Sequence, residues 1–326
     1  LDARLPDGSR VNATIPPISL EGPTLTIRKF RKDPYTITDL ILFNTLTPEL
    51  AAFMWLCVEG LRSKPANILC AGGSGCGKTT TLNCLAAFIP EPERVITIED
   101  TAELQLPHRH WIRFETRPPN IEGKGEITMD DLLKNTLRMR PDRIIVGEVR
   151  GPEARTLFTA MNTGHEGCVG TIHANSASEV ITRLTNPPMN VPKIMIPALD
   201  LIVMQQKFQN PNGSSNRPIT EVAEVSGVEA GYPQINKIYE WSPRTNIIQR
   251  TGVPSIFKER VANFRGWSLE MLEEEIQRRE TVLKWMVEKK IREVTKVGTV
   301  IQAYYQSPDY IYSKAINELQ SNYGKK

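Results

Sequence analysis

The chain reads as an α/β layer built on a mainly parallel sheet, on two observations. Short apolar runs alternate with helix-compatible ones from about residue 47 to 205, and several of the apolar runs end in a glycine-rich loop, an acid or a histidine. Alternating strands and helices argue for a parallel sheet, and the carboxyl end of its strands is where such sheets collect ligands. A β-rich piece comes before this layer, and a meander and a helical tail come after it.

Composition permits one large domain or two smaller ones, with 326 residues of which 40% are hydrophobic and 24% charged. The net charge is only +3 and no block of five or more like charges occurs, so charge alone names no nucleic-acid or membrane-surface partner. Five cysteines (Cys57, Cys70, Cys76, Cys84, Cys168) are odd in number and contain no Cys-x-x-Cys pair. They read as reduced thiols of a cytoplasmic protein. No apolar run approaches the ~18 residues of a membrane span, and the start has neither signal-peptide charge nor an apolar region. A soluble protein is expected.

Residues 1–30 are expected to be extended, with a tight turn at Asp7-Gly8, a break at Pro16-Pro17, a turn near Gly22 and the alternating run Leu25-Thr26-Ile27-Arg28. Opening in mid-sheet suggests the end of a truncated amino-terminal domain. Residues 31–36, holding Asp33-Pro34, are the expected linker, because a residue before proline is pushed out of the helical region.

Thr47 and Pro48 then open a helix that runs to about Gly60, and residues 67–71 read as a buried strand. Further strands are expected at 95–98, 111–114, 143–146 and 168–172, and helices at 78–88, 129–139, 152–162 and 177–184. Longer extended pieces follow at 201–208, 217–226 and 235–241, joined in part by the polar loop 210–216 as a hairpin or meander. From Pro254 the chain turns helical, with Ser268 as a cap and Leu269, Leu272, Ile276, Leu283 and Met286 recurring at helical spacing as a packing stripe.

Four segments carry the chemistry. Gly72-Gly73-Ser74-Gly75-Cys76-Gly77-Lys78-Thr79 fits the phosphate-binding loop, with an apolar strand before it and a helix-compatible run from Thr80 after it. Its glycines let consecutive amides face phosphates, the following helix adds its positive end, Lys78 reaches the β and γ phosphates, and Thr79 ligates Mg2+. The second segment, 142–148, is an apolar strand delivering Glu148, which polarises water or holds the metal through water. The third, Val95 to Glu103, ends in Glu99, Asp100 and Glu103, three like charges that call for a cation or a basic partner. The fourth holds His165 and His173, eight residues apart across an expected strand. That spacing is not one of helix metal ligands, and a structural histidine is the default reading; after a strand end, His173 is alternatively a group that contacts a γ phosphate or transmits its presence.

Taken in this order the segments resemble the type II/type IV secretion ATPase superfamily: Walker A at 72–79, an acidic box at 95–103, an atypical Walker B at 143–148 and a histidine box at 163–174. The connecting text, 137–142, 147–154 and 160–165, resembles that family as well, as do 5–12 and 25–30 the end of its first domain. The resemblance implies a RecA-like ATPase domain over 37–326, with a helical part from about 254. It implies ring-shaped homohexamers with nucleotide between the two domains and beside a neighbouring subunit.

Carried over by position, it implies Gly73, Ser74, Gly75, Cys76, Gly77, Lys78, Thr79 and Thr80 for ATP, and Thr79 with Glu148 for Mg2+. Glu99 or Glu103 would orient water, with His165 and His173 on the γ phosphate side. Arg113, Arg117 and Arg138, with Arg10, Arg28 and Arg31 in the first domain, form the pool for arginine fingers. Implied partners are further copies of the chain and a polytopic membrane platform protein, with the ring peripheral at the inner face of the cell membrane and no nucleic acid. Among subfamilies the sequence resembles the archaeal secretion ATPases most, including the archaellum motor, with a pilus retraction motor or a bacterial secretion motor as the alternative subfamilies. The alternatives are a hexameric nucleic-acid motor, for which no interleaved basic and aromatic channel is visible, a small-molecule kinase, and a degenerate nucleotide binder, against which Lys78, Thr79 and Glu148 speak.

Overall fold

The computed structural model describes residues 1–210 and 213–323, and the chain divides into two compact units, Leu1–Pro34 and Tyr35–Lys326. The first is a three-stranded antiparallel sheet of β1 (Asp2–Arg4), β2 (Arg10–Thr14) and β3 (Thr24–Arg28), in that order. Asp7 and Gly8 make the turn between β1 and β2. The Asp7 carboxylate accepts from the Ser9 amide at 2.9 Å, and Gly8 takes a φ of 88° that only glycine adopts readily. The register sets Arg4 opposite Arg10 and Arg10 opposite Arg28, a row of three arginines across the sheet.

The second unit begins with α1 (Ile37–Leu42) and α2 (Pro48–Glu59). Thr47 caps α2, its hydroxyl accepting from the Leu50 amide, Pro48 fills the first position and Gly60 closes the helix at a φ of 61°. There follow β4 (Ile68–Gly72), α3 (Lys78–Ala86), β5 (Val95–Glu99), β6 (Trp111–Glu115), α4 (Met129–Thr136), β7 (Arg143–Val149), α5 (Glu153–Asn162), β8 (Val169–His173), α6 (Ala177–Thr185) and β9 (Leu201–Gln205). The small hairpin β10 (Phe208–Gln209) and β11 (Ser215–Asn216) leads to β12 (Ile219–Glu229), β13 (Tyr232–Ser242) and β14 (Ile247–Arg250). Four helices finish the chain: α7 (Ile256–Arg265), α8 (Leu269–Glu288), α9 (Val294–Gln306) and α10 (Pro308–Tyr323).

One sheet of nine strands organises this unit, in the order β14-β13-β12-β9-β4-β8-β7-β5-β6. The six from β9 to β6 are parallel, and β12, β13 and β14 extend them antiparallel. Strand alternation feeds two cores. Ile68 and Cys70 of β4 join one layer with α1, α2, α3 and the carboxyl-terminal helices, while Leu69 and Ala71 join the other with α4, α5 and α6. The α/β reading with a mainly parallel sheet is therefore the observed architecture. All five cysteines are buried and free; burial pushes the Cys70 and Cys168 thiols up to about 12 and raises those of Cys57 and Cys84 well above the ordinary thiol range.

The structure changes two expectations. The strand expected over 201–208 stops at Gln205, and the end of the polar loop expected at 210–216, Ser215–Asn216, is instead strand β11 paired with β10; Pro211 and Asn212 of that loop lie outside the described residues. In the stripe of α8, Leu272, Ile276, Leu283 and Met286 are buried, but Leu269 is 44% exposed because it sits at the first position of the helix. The helical tail closes the same core as the sheet, in keeping with the packing role read from its stripe. Arg279 of α8 and Glu59 of α2, both buried, pair at 2.9 Å, and Glu275 holds the same guanidinium at 2.9 Å. Trp55 stacks on Phe88 and donates to the Tyr305 hydroxyl at 2.7 Å, and that hydroxyl donates to the Phe88 carbonyl.

Candidate functional site

The parallel strands deliver their last residues to one edge: Gly72 from β4, Glu99 from β5, Glu148 near the end of β7, His173 from β8 and Gln205 from β9. Register makes neighbours of three of them, with Gly72 opposite His173 on one side and Gln205 on the other. The glycine loop leaves the sheet at this edge. Gly75 and Gly77 take φ values of 68° and 107°, and a Cβ at Gly73 or Gly75 would meet nothing within 4 Å, so the loop's outer face is open. Cys76 is tucked beneath it, its sulfur in the space that a side chain at Gly72 would need.

Gly77 caps α3 without a side chain, which leaves the first amides of the helix to an outside acceptor. The Lys78 ammonium donates to the Gly72 and Gly73 carbonyls at 2.9 and 2.8 Å, so it spans the loop. Thr79 and Thr80 stand half-buried in the first turn, and Ser74 is exposed. These groups form a donor set of amides, an ammonium and hydroxyls beside the loop's open face, which is the chemistry a polyphosphate requires.

The acids divide by environment. Glu99 is 2% exposed; its Oε1 accepts from the amides of Glu103 and Leu104 at 2.8 and 3.1 Å, and its Oε2 is buried without a partner. Burial pushes its carboxyl above the ordinary range, against the pull of those amides and of Arg113. Asp100 pairs with Arg150 and accepts from Thr116 Oγ1 at 3.2 Å. Glu103 stays half-exposed in the loop that Glu99 anchors.

Glu148 owes its position to a bulge. Val146 pairs with Gly170 and Val149 with Ile172, so Gly147 and Glu148 together face Thr171, whose hydroxyl donates to the Gly147 carbonyl at 2.5 Å. An extra residue re-aims the side chains that follow it. Gly147 is required for a second reason: a Cβ there would lie 2.9 Å from Glu99 Cγ. The atypical Gly-Glu ending thus packs the two acidic strands together.

The two histidines are separated. His173 ends β8 beside Gly72, whereas His165 lies in the turn before β8, where its amide donates to the Ala160 carbonyl and its own carbonyl accepts from Cys168 Sγ. The strand between them is about 13 Å long at ~3.3 Å per residue. His165 is therefore at the opposite end of β8 from Gly72 in its own chain, and the structure does not bring the two histidines together. Arg138 is likewise in the connection that feeds the amino end of β7. Arg113 lies over the Trp111 ring at 4.6 Å and donates to the Leu104 carbonyl, beside the acids; Arg117 donates to the Gly125 carbonyl at 2.6 Å. Arg28 is exposed in β3 of the first unit.

The sequence model of the type II/IV secretion system protein family matches residues 1–305. The chain belongs to that family. An uncharacterised protein of Methanocaldococcus jannaschii is 32% identical over 95% of this chain and 66% of its own length. A putative conjugal transfer protein of Mycobacterium tuberculosis is 41% identical over 54% of this chain and 49% of its own. Among solved structures, the VirB11 ATPase of the Brucella suis type IV secretion system in complex with sulphate is 28% identical, covering 68% of this chain and 75% of that one, at a TM-score of 0.43. The chain spans about two thirds of the first relative's length and half of the second's.

Within this secretion-family site, sequence reasoning passed over Gln205 and Arg217. Gln205, 3% exposed, accepts from the Thr81 hydroxyl at 2.8 Å and donates to the Arg217 carbonyl at 3.0 Å, while Arg217 Nε donates to the Gly75 carbonyl at 3.1 Å. The available signal was the run Leu201-Ile202-Val203-Met204-Gln205, an apolar strand ending in one polar residue like those that end in Glu99 and Glu148. Extending the strand to residue 208 hid it.

Proposed function

We propose that this chain is an ATPase that turns hydrolysis into movement of protein in a secretion or pilus-type machine. The observation that carries the reading is the gathering of the Lys78 loop, Glu99 with its loop to Glu103, Glu148 and His173 at the carboxyl edge of one parallel sheet. Family membership supports the secretion role. In this reading the amides of 73–79 and Lys78 hold the β and γ phosphates, the ammonium exchanging the Gly72 and Gly73 carbonyls for phosphate oxygens.

Thr79, and Glu148 through water, would hold Mg2+, which neutralises phosphate charge when bound. Among the described residues no three His, Cys, Asp or Glu side chains gather to hold a metal by themselves, and a magnesium shared with phosphates takes only one or two protein groups. Glu103 orients the attacking water, since the inner oxygen of Glu99 is already spent on two amides and its carboxyl holds a proton more readily. Glu99 then positions Glu103. His173, next to Gly72, faces the γ phosphate.

The finer reading is a homohexamer working on a polytopic membrane platform protein, as archaeal secretion and archaellum motors do. No helix among the described residues is long and apolar enough to cross a membrane, which suits a peripheral ring carried by such a partner. Phosphate release tests the core of the proposal. Lys78→Ala is expected to abolish it, and Glu148→Gln to lower turnover by about 100-fold or more while ATP stays bound. Wild-type turnover in Lys78→Ala ends the reading. A rise in turnover on adding the cytoplasmic domain of a candidate platform protein, but not single-stranded DNA, supports the finer one.

A further inference from the structure

The phosphate loop is held from outside by a clasp that starts on β9, and this reading rests on the nucleotide role proposed above. Gln205 ends β9 in register with Gly72, and its backbone carbonyl lies 2.1 Å from where a Cβ at Gly72 would be. Its side-chain amide sits against Gly77, where an added Cβ would be 3.1 Å from Nε2. Two glycines of the loop are thus fitted against a single buried glutamine. The same amide group joins Thr81, in the first turns of α3, to the carbonyl of Arg217.

Arg217 completes the circuit by donating from Nε to the Gly75 carbonyl. A trans peptide plane points its C=O and the following N–H in opposite directions. Fixing the Gly75 carbonyl on the Arg217 side therefore fixes the Cys76 N–H on the other. The segment carrying Arg217 is itself tied down. The β10–β11 hairpin before it stacks Phe208 on Trp241 with ring centroids 5.0 Å apart, and Asn216 Nδ2 donates to Asn246 Oδ1 at 2.8 Å.

We propose that Arg217 and Gln205 are positioning residues for nucleotide binding, holding the Gly75–Cys76 peptide so that the Cys76 amide is presented to phosphate. Arg217 is exposed, its carbonyl contact with Gln205 is backbone, and removing its side chain leaves the core intact. The test is titration of the purified chain with a fluorescent ATP analogue and Mg2+, alongside KM and kcat for ATP and thermal melting without nucleotide.

Arg217→Ala is expected to weaken analogue binding and raise KM about tenfold, the size of one charge-assisted hydrogen bond, with kcat within about twofold and an unchanged melt. Arg217→Lys, which can still donate to the Gly75 carbonyl, is expected to restore most of the loss. Gln205→Ala is expected to weaken binding by a similar factor, and the double variant to lose no more than about threefold beyond either single one, because both act on one peptide.

Arg217→Ala binding within twofold of wild type, while Lys78→Ala fails to bind, overturns this inference and leaves the ATPase reading standing. Wild-type binding in both overturns the two together. A loss in Arg217→Ala that lysine does not recover, or fully additive losses in the double variant, also overturns it.

Discussion

At the residue scale the site depends on how close Glu99 and Gly147 stand. Gly147→Ala places a methyl 2.9 Å from Glu99 Cγ and is expected to cost about 1–3 kcal/mol in urea unfolding, with loss of hydrolysis as the bulge shifts. Glu99→Gln acts in the other direction on stability. Burial raises the folded-state affinity of Glu99 for a proton, so the ionised carboxylate opposes folding as pH rises above the ordinary glutamate range. The glutamine variant is expected to gain on the order of 1 kcal/mol at neutral pH and nothing below about pH 4, read as melting temperature against pH. Glu103→Gln removes a like charge that helps raise the Glu99 carboxyl, so it is expected to flatten that profile in part, and to lower kcat by about 100-fold with little change in KM.

Lys78 and Thr79 were legible because a phosphate loop imposes fixed spacing on contiguous residues. Gln205 was not, because a polar residue at a strand end gains meaning only when register puts it beside the loop. The separation of His165 from His173 follows from the strand expected between them, which sets the two histidines at its opposite ends.

At the element scale, capping residues and strand alternation made most helices and strands readable to within a few residues. Thr47-Pro48 with Gly60 is one such case, and Ser268 before α8 is another. The bulge in β7 could not be read, since an apolar run ending in Gly-Glu is silent about how many residues its neighbour sets opposite it. Nor could the attachment of α8 to α2. That attachment rests on an ion pair lacking solvent, so removing one partner strands a buried charge. Arg279→Met is expected to cost about 3–5 kcal/mol by urea unfolding, and adding Glu59→Leu to recover much of it.

On the scale of the whole molecule, the cores contain only residues from Ile37 onward, so the second unit has the material to fold alone. A chain beginning at Tyr35 is expected to melt cooperatively within about 3 °C of the longer one. A collapse of the transition would show that the first unit contributes to folding.

The five cysteines give this molecule a built-in reporter. A thiol buried away from water does not react with an alkylating reagent until the surrounding structure opens. Their labelling therefore dates local opening at five points of one chain: Cys57 in α2, Cys70 in β4, Cys76 under the phosphate loop, Cys84 in α3 and Cys168 before β8. A ligand seated on the loop would slow Cys76 more than Cys57, and mass spectrometry of the labelled peptides would follow that opening without any engineered probe.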